Sequence, residues 1–293
     1  MILCPECEKS VNLKRPEESE CQCGSRRTNP NGIFSFAPDY KSYFADHTEE
    51  SVDLLGRYAT SHFWLLERKR WVVRAVNRYL EPKSTFLDIG SGGGDIAVEL
   101  RRSGIDVSLG DIQIGGLEAS ARFGFENLFQ FDLYRPIFLD HFRGIGAFDV
   151  LEHLADDQLA VENLIQMVVP GGYIFVTVPA FQFLWNRRDI MEKHKRRYSR
   201  SRLKSLFLQA GVDVVACDYI FSFIFPLLVS RALISRFSSR KEFSTEAQYR
   251  QWEINRFLNS SLKAITRVER KIFRSFALPF GGSLLLVARR PFP

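Results

Sequence analysis

The sequence lacks any apolar run long enough to cross a membrane. Its longest run, from Tyr219 to Ser230, is interrupted by Pro226 and followed directly by Arg231, whereas a membrane-spanning helix needs about 20 apolar residues. The chain also begins without the positively charged segment and apolar stretch of a secretory signal. We therefore expect a cytoplasmic protein without a transmembrane helix, and peripheral contact with a membrane is left open.

Beyond the amino-terminal segment the chain has a single cysteine, Cys217. It lies in a predicted strand, where a small buried side chain is suitable. The remaining cysteines cluster, and in a cytoplasmic protein such clustering favours a metal site over disulfides. Residues 1–30 have almost no apolar periodicity, so they need a cross-link such as a metal ion or a disulfide in order to fold. The first pair has C-x-x-C spacing, but the second is C-x-C, so a metal-free ribbon is the alternative. We predict a structural zinc ion bound by Cys4, Cys7, Cys21 and Cys23.

An excess of acidic charge is also absent. The 40 lysines and arginines outnumber 34 aspartates and glutamates, which gives a formal net charge of +6. The basic excess is concentrated between Arg187 and Lys204. Such a stretch indicates either contact with an anionic group or a solvated helix face.

Strand and helix patterns alternate from Thr85 onward. Short β-branched and aromatic runs between amphipathic segments are typical of parallel β-α-β units whose sheet is buried on both faces. The predicted strands are 85–89, 107–111, 128–131, 144–150, 173–178, 212–220 and 283–289, and the predicted core helices are 95–102, 116–123 and 156–168. The pattern predicts an α/β fold, with a Rossmann-like, doubly wound, mostly parallel seven-stranded sheet, a helical cover insertion and a small amino-terminal zinc-ribbon-like module.

The chain divides into five predicted regions. Residues 1–30 are the Cys-rich zinc-ribbon-like module, 31–82 a helical and loop segment, 83–180 the Rossmann-like core, 181–275 a mostly helical cover that includes one strand, and 276–293 the strand that completes the sheet. We see no internal repeat and no low-complexity segment.

A glycine-rich loop, DIGSGGG at 88–94, joins the first core strand to the first core helix. Glycine permits a tight turn and close approach of a ligand, and nucleotide-like ligands bind at this edge of a doubly wound sheet. Asp111 ends the next strand and Asp132 follows the third. These carboxylates can accept hydrogen bonds from ribose hydroxyls and from an adenine amino group, respectively. Helix caps and turns are the alternative use of such residues.

Two features favour S-adenosylmethionine over a dinucleotide. The dinucleotide fingerprint has its third glycine where this chain has Asp95, and Asp88 would lie beside a pyrophosphate. S-adenosylmethionine has no phosphate and carries an ammonium and a sulfonium, so a nearby carboxylate attracts it.

The segment from Thr85 to Val178 resembles the core of class I S-adenosylmethionine-dependent methyltransferases, and within them the small-molecule branch that includes ubiquinone-biosynthesis O-methyltransferases. The matching pieces are LDIGSGGG (87–94), FDL (131–133), FDVLEHLADD (148–157) and VPGGYIFVTVPA (169–180). The segment SHFWLLERKR (61–70) resembles the helix before the glycine loop in such enzymes, which implies that Arg68 pairs with the cofactor carboxylate. The loop and the resemblance together predict cofactor contacts from Asp88, Gly90, Gly92, Gly94, Asp111, Ile112, Asp132, Leu133 and Arg68.

Methyl transfer from a sulfonium is an in-line displacement, so positioning supplies much of the catalysis. A hydroxyl acceptor also needs a general base, for which histidine has a suitable pKa. His153 follows the fourth strand, and His194 lies in a segment that resembles the H-x-R-R-Y-S segment after the fifth strand of related enzymes. We predict that His153 and His194 are catalytic. Structural roles are the alternative, and Glu152 with His153 could instead hold a divalent metal.

The residues beside His194 indicate contact with the acceptor. Arg197 offers bidentate recognition of an anion, and Tyr198 offers a hydrogen-bonding phenol. We predict that both bind substrate and that the stretch 187–204 lines the acceptor side of the site.

The first predicted function is methyl transfer to a small-molecule or lipid-like, anionic acceptor. A ribosomal RNA methyltransferase is the first alternative, because a zinc ribbon joined to this core resembles bacterial ribosomal RNA guanine methyltransferases. Acidic residues balance the basic ones in 1–30, which makes nucleic acid the less favoured partner. The second alternative is a non-enzymatic protein that binds S-adenosylmethionine and a partner. The acceptor, the methylated atom and the oligomeric state are left open.

Overall fold

A single, mostly parallel sheet runs through the described part of the chain. The computed structural model describes residues 1–11, 21, 23–24, 27–28, 32–37, 40, 58, 60–237, 253–272 and 278–293. The strands are β1 Arg27–Thr28, β2 Phe34–Ser35, β3 Thr85–Ile89, β4 Asp106–Asp111, β5 Leu128–Gln130, β6 Phe142–Phe148, β7 Val168–Pro179, β8 Asp213–Ile220 and β9 Ser283–Arg289. Their order in the sheet is β1-β2-β5-β4-β3-β6-β7-β9-β8.

The strand order is that of a doubly wound sheet. From β3 in the middle, the chain winds outward through β4 and β5 on one side, then returns to form β6 and β7 on the other. These strands are parallel to their neighbours, whereas β9 runs antiparallel between β7 and β8. The direction of winding reverses between β3 and β6, and the crevice at the carboxyl ends of these strands is where this class of fold binds ligands.

Helices cover both faces of the sheet. They are α1 Phe63–Tyr79, α2 Asp95–Arg102, α3 Ile114–Ala121, α4 Asp157–Met167, α5 Arg187–Met191, α6 Arg200–Gln209, α7 Phe225–Phe237 and α8 Arg256–Ile272, with short 3-10 turns at Leu151–His153 and Gln182–Leu184. Val72 of α1 and Leu117 of α3 are buried on one face, and Leu164 of α4 and Phe207 of α6 on the other. Leu262 of α8 packs in a third cluster with residues of α1. None of the helices in these ranges is long and apolar enough to span a membrane.

The amino-terminal segment extends the sheet beside β5. β2 pairs in parallel with β5, and Phe34 stacks on Phe129 with ring centroids 5.4 Å apart. Before it, the amide of Leu3 donates a hydrogen bond of 2.7 Å to the carbonyl of Ile137. The segment therefore packs directly on the Rossmann-like core.

The predicted fold class is confirmed, with two differences in the sheet. All seven predicted strands are present, and β1 and β2 are additional strands of two residues each. Two residues are too few to show the apolar and polar alternation by which a strand is recognised in a sequence. β7 also begins at Val168, five residues before the predicted start at 173, and so includes the turn-forming residues Pro170 and Gly171. Its pairing with β6 is irregular between Phe142 and Gly144, so the strand accommodates the turn residues as a distortion of the ladder.

Candidate active site

The glycine loop joins β3 to α2 with a left-handed backbone at alternate residues. Gly90, Gly92 and Gly94 have φ angles of 66°, 50° and 74°, which residues with a Cβ rarely adopt. A Cβ on Gly90 would lie 2.5 Å from Cγ2 of Val150, whereas nothing lies within 4 Å of a Cβ position on Gly92. The loop therefore presents bare backbone to a ligand beside Gly92.

Asp111 holds this loop from the end of β4. Its carboxylate accepts hydrogen bonds of 2.9 Å each from the amides of Gly92 and Gln113. The carbonyl of Ile112 accepts a hydrogen bond of 3.1 Å from the side chain of Gln130. The half-buried carboxylate expected to meet the ribose is thus fixed in place by backbone donors.

Asp88 and Ser91 bring buried polar atoms to the same loop. The Ser91 hydroxyl is buried without a hydrogen-bond partner among the described residues. Asp88 is 2% exposed, and burial, together with the charge of Asp95, raises the pKa of Asp88 well above its usual range. A cationic ligand group would favour the ionised carboxylate of Asp88.

Asp132 and Leu133 follow β5 at the same edge. Asp132 accepts a hydrogen bond of 2.9 Å from the amide of Tyr134, and the carbonyl of Leu133 accepts one of 2.9 Å from the side chain of Asn163. Carboxylates thus lie in or just after three neighbouring strands. With the bare loop and the orphaned Ser91 hydroxyl, they fit a ligand that has an ammonium group, ribose hydroxyls and an adenine amino group.

A cavity of about 630 Å³ opens at the carboxyl edge of the sheet, under α1, α7 and α8. Its apolar lining includes Trp64, Leu184, Ile224, Leu227, Leu228, Ile234, Ile254, Leu258 and Leu262. Its polar lining includes a connected group made of Arg68, Asp149, Glu152, His153, Asp189, Glu192 and His194. The cavity is therefore amphipathic.

Arg68 and Asp149 form an ion pair between the glycine loop and the cavity. Asp149 leaves the end of β6 with a φ of 58° and accepts a hydrogen bond of 2.8 Å from the hydroxyl of Thr177. Burial acts to raise the pKa of Asp149, but the Arg68 guanidinium outweighs it and lowers this pKa. Nε of Arg68 is buried without a hydrogen-bond partner among the described residues, so Arg68 has an N–H available for an anionic ligand group.

Glu152 and His153 lie at the polar end of the cavity. Glu152 is 0% exposed, and both of its carboxyl oxygens lack a hydrogen-bond partner in the described part of the chain. Burial, and then the charge of Asp149, raise the pKa of Glu152 well above its usual range. Burial, and then the charge of His194, lower the pKa of His153 to about 4. His153 is therefore neutral at physiological pH.

His194 stands between two carboxylates. Its Nδ1 is 2.9 Å from Asp189 and its Nε2 is 3.2 Å from Glu192. Burial acts to lower the pKa of His194, but these hydrogen bonds outweigh it and raise the pKa to about 9. Ligand atoms of Glu152, His153 and His194 lie within 4.8 Å of one another, so a divalent metal could bind here if it displaced the proton from His194.

Arg197 and Tyr198 point to opposite sides of the chain. Arg197 lines the cavity, but its guanidinium makes a bidentate pair with Asp189 at 2.7 and 2.9 Å. Tyr198 is fully buried outside the cavity lining, and its hydroxyl donates to Asp157 at 2.9 Å. The prediction that Tyr198 faces the acceptor is therefore wrong. A β-bridge between Ala180 and Tyr198 makes the chain extended here, and neighbouring side chains of an extended chain alternate in direction.

Sequence reasoning missed three carboxylates of this polar group: Glu192, which binds His194, and two others, Asp189 and Asp149. Asp189 is 0% exposed, because it caps α5, binds His194 and binds Arg197. Asp149 pairs with Arg68 from a distant helix. All three positions were visible as acidic residues near predicted ones, but only the tertiary fold shows their partners.

The four amino-terminal cysteines meet in one cluster. The sulfur atoms of Cys4 and Cys23 are 3.5 Å apart, those of Cys7 and Cys21 also 3.5 Å, and those of Cys21 and Cys23 3.2 Å. None of the four is in a disulfide. Tetrahedral zinc with bonds of about 2.3 Å places its sulfurs roughly 3.8 Å apart. The thiols are thus already gathered at nearly the spacing that zinc requires.

A family described as a methyltransferase domain matches residues 63–216, just over half of the chain. The chain belongs to the class I S-adenosylmethionine-dependent methyltransferase family. The match runs from α1 into β8, so the methyltransferase domain includes the glycine loop and the polar end of the cavity. The amino-terminal cysteines and α8 lie outside it.

The curated relatives are bacterial. The ubiquinone biosynthesis O-methyltransferase of Escherichia coli O6:H1 is 29% identical over 132 residues, which cover 39% of this chain and 55% of that protein. The protein of the same name from E. coli strain K12 is 32% identical over 96 residues, which cover 30% of this chain and 40% of that protein. The chain spans about half the length of the curated relatives it matches.

Solved structures share the fold at low identity. A chain in the complex of the Haloferax volcanii Trm112 methyltransferase activator with a methyltransferase has a TM-score of 0.54 at 19% identity, covering 86% of this chain and 99% of that chain. Phosphoethanolamine N-methyltransferase 2 of Haemonchus contortus has a TM-score of 0.54 at 12% identity, covering 84% and 58%. The [4+2]-cyclase SpnF has a TM-score of 0.51 at 15% identity, covering 77% and 81%. The fold therefore accommodates more than one reaction.

Proposed function

We propose that the chain is an S-adenosylmethionine-dependent methyltransferase that methylates a hydroxyl group of an amphipathic small molecule. The proposal rests on an apolar cavity whose polar end contains an unprotonated histidine, His153, and a carboxyl group without a hydrogen bond among the described residues, Glu152. The apolar walls suit a hydrocarbon body. A hydroxyl suits the polar end, because it must lose a proton when it gains a methyl group.

His153 is the proposed general base. When bound, S-adenosylmethionine would supply an electrophilic methyl group, whose bond to sulfur breaks as the new carbon–oxygen bond forms and the acceptor hydroxyl loses its proton. Neutral His153 can take that proton, and the unpartnered Glu152 can accept a hydrogen bond from the acceptor or from His153. A His153 pKa of about 4 makes it a weak base, so positioning supplies the larger part of the rate.

His194 and Arg68 are the proposed cationic groups. His194 is protonated at neutral pH, so its role in catalysis is to offset negative charge that develops on the acceptor oxygen. Arg68 has an unused Nε, which suits the carboxylate of S-adenosylmethionine.

Arg231, instead of Arg197, is the proposed binding residue for an anionic group on the acceptor. Arg197 is already engaged by Asp189, whereas Arg231 lines the cavity and forms no ion pair within the described ranges. Burial, and then the charge of Arg188, lower the pKa of Arg231. An anion between these two arginines would relieve their repulsion.

We also propose that the cysteine cluster binds one structural zinc ion. Support comes from the four thiols, none of them in a disulfide, which are gathered within 4.8 Å. The cluster lies outside the residues that line the cavity, so the metal would stabilise the amino-terminal segment without joining the chemistry.

Methyl-labelled S-adenosylmethionine tests the proposed function. The protein is incubated with a lipid extract and, separately, with ribosomal RNA, and label is counted in the organic and RNA fractions. We expect label in the organic fraction, and a loss of about 10²–10⁴-fold in turnover for His153→Gln. His141→Gln is the matched control, because His141 is exposed and lies outside the cavity lining. Label that appears only in RNA would support the ribosomal alternative instead.

A further inference from the structure

The helix α8 carries an apolar row that faces away from the protein. Leu262, Thr266 and Glu269 are buried against the rest of the structure, and their spacing marks the inward face of the helix. Along another face lie exposed apolar residues. They are Phe257, Leu258, Ile265, Val268 and Ile272.

Polar contacts fix the orientation of α8. The side chain of Asn259 accepts a hydrogen bond of 2.9 Å from the amide of Phe63 at the start of α1. Glu269 accepts hydrogen bonds of 2.7 and 3.0 Å from the amides of Ser222 and Phe223. Because these buried bonds are lost if α8 rotates, the apolar row cannot turn inward.

The helix α7 continues the apolar surface to the mouth of the cavity. Ile234 of α7 is 70% exposed and Phe257 of α8 is 82% exposed, so each leaves most of a large apolar side chain in contact with water. Leu227, Ile234 and Leu258 are both exposed and part of the cavity lining. The outer surface and the inner walls therefore form one continuous apolar surface.

Basic residues flank the apolar row. Arg256, Lys263, Arg267 and Lys271 lie on a third face of α8 and form no ion pair among the described residues. Glu253 is the acidic residue that precedes this helix at the cavity. An apolar face bordered by lysine and arginine is the pattern of a helix that lies in the surface of an anionic bilayer.

We propose that α7 and α8 dock the protein on an anionic phospholipid membrane, with the apolar row among the acyl chains and the cations at the head groups. The cavity mouth then opens toward the bilayer, and an amphipathic acceptor enters without crossing water. The entry route rests on the proposed function, but the docking itself rests only on the surface of the two helices. Leu228 of α7 and Leu262 of α8 both pack in the cluster that contains residues of α1, so the docked surface has a fixed position relative to the active site.

Vesicle sedimentation of the full chain tests the docking. We expect the protein to sediment with vesicles of phosphatidylcholine and phosphatidylglycerol, to bind phosphatidylcholine alone more weakly, and to dissociate as salt is raised. The double variant Phe257→Ser, Val268→Ser, at two exposed residues of the apolar row outside the cavity lining, should bind at least about tenfold more weakly. Phe123→Ser is the matched control, because Phe123 is 55% exposed and lies just after α3, at the amino edge of the sheet.

Cofactor affinity separates docking from folding and from the proposed function. Calorimetry should give equal affinity for S-adenosylmethionine in the wild type and in all these variants. Equal sedimentation of the wild type and the double variant would overturn the docking proposal, whatever the methyl acceptor proves to be. A dimer in light scattering that only the double variant disperses, without vesicle binding, would assign the surface to a second copy and also overturn it.

Discussion

The hydroxyl of Ser35 donates a hydrogen bond of 2.6 Å to the side-chain oxygen of Gln130, whose amide nitrogen donates in turn to the carbonyl of Ile112 at 3.1 Å. Ser35 belongs to the added strand β2, and Ile112 follows the carboxylate expected to bind the ribose. Two hydrogen bonds therefore join the amino-terminal segment to Ile112, in the connection after β4.

Ser35→Ala should weaken both the fold and the cofactor site slightly. The substitution leaves the buried oxygen of Gln130 unpaired, which costs about 1–3 kcal/mol in the free energy of unfolding. The affinity for S-adenosylmethionine, measured by calorimetry, should fall by a few-fold as Ile112 loses its support. Ser235→Ala removes a hydroxyl that bonds only within α7 and should leave this affinity unchanged. Equal affinity in both variants would show that the two hydrogen bonds do not reach the cofactor.

The cysteine cluster should hold about one zinc ion per chain. Elemental analysis of the wild-type protein measures it directly, and the double variant Cys4→Ser, Cys7→Ser should lack the metal. Cys217→Ser is the control, because Cys217 lies in β8 away from the cluster. Cofactor binding should survive loss of the metal, since the glycine loop has its own backbone supports. A metal-free wild type with protected amino-terminal amides would contradict the prediction.

Asp111→Ala should weaken S-adenosylmethionine binding by ~1–3 kcal/mol, the cost of leaving polar ligand groups unpaired. The substitution also removes the acceptor for the amides of Gly92 and Gln113, so the loop becomes less ordered. Asp106→Ala provides the same change at the exposed amino end of β4 and should not alter binding. Calorimetry that shows no difference between the two variants would remove Asp111 from the site.

Stability should decrease on both sides of a mid-range pH, for opposite reasons. Burial lowers the pKa of His62 and His153 to about 4 from 6.5, so the free energy of unfolding falls as pH falls through this window because the unfolded chain binds the protons first. His194 has a pKa of about 9, so its contribution is complete below 6.5 and is lost as pH rises toward 9. Denaturant unfolding across this range should show that His194→Gln flattens the alkaline side and, because it removes the charge that helps to lower the pKa of His153, also reduces the acid-side slope. An unchanged alkaline slope would refute the assignment.

Much of the fold could be predicted because its signals are local. The runs 85–89 and 283–289 are apolar, short and bounded by turn residues, and the strands there have those limits. The strand predicted at 144–150 lies at Phe142–Phe148 instead. Asp149 has a positive φ and leaves the strand to meet Arg68, and this is a tertiary contact that no period reveals.

The site was predicted less completely, because residue type fixes chemistry but not partners. The segment around His194 was expected at the acceptor side, and the structure places His194 and Arg197 in the cavity wall. The roles predicted for His194 and Arg197 require side chains that can contact the acceptor. Asp189 and Glu192 instead keep His194 protonated, and Asp189 also forms an ion pair with Arg197. Carboxylates a few residues away along an irregular segment come into contact only once that segment has folded.

The two edges of the sheet are protected from self-association in different ways. β8 carries the exposed charges Asp213 and Asp218 and an irregular pairing after Val214, both of which discourage another strand from adding. The other edge is formed by the short strands β1 and β2, and β2 pairs with β5 and covers it, so that all three residues of β5 are buried. A recombinant chain that lacks only residues 1–37 would expose β5 and the ring of Phe129 to solvent, and poor solubility of such a fragment would reflect an uncovered edge and say nothing about its catalytic competence.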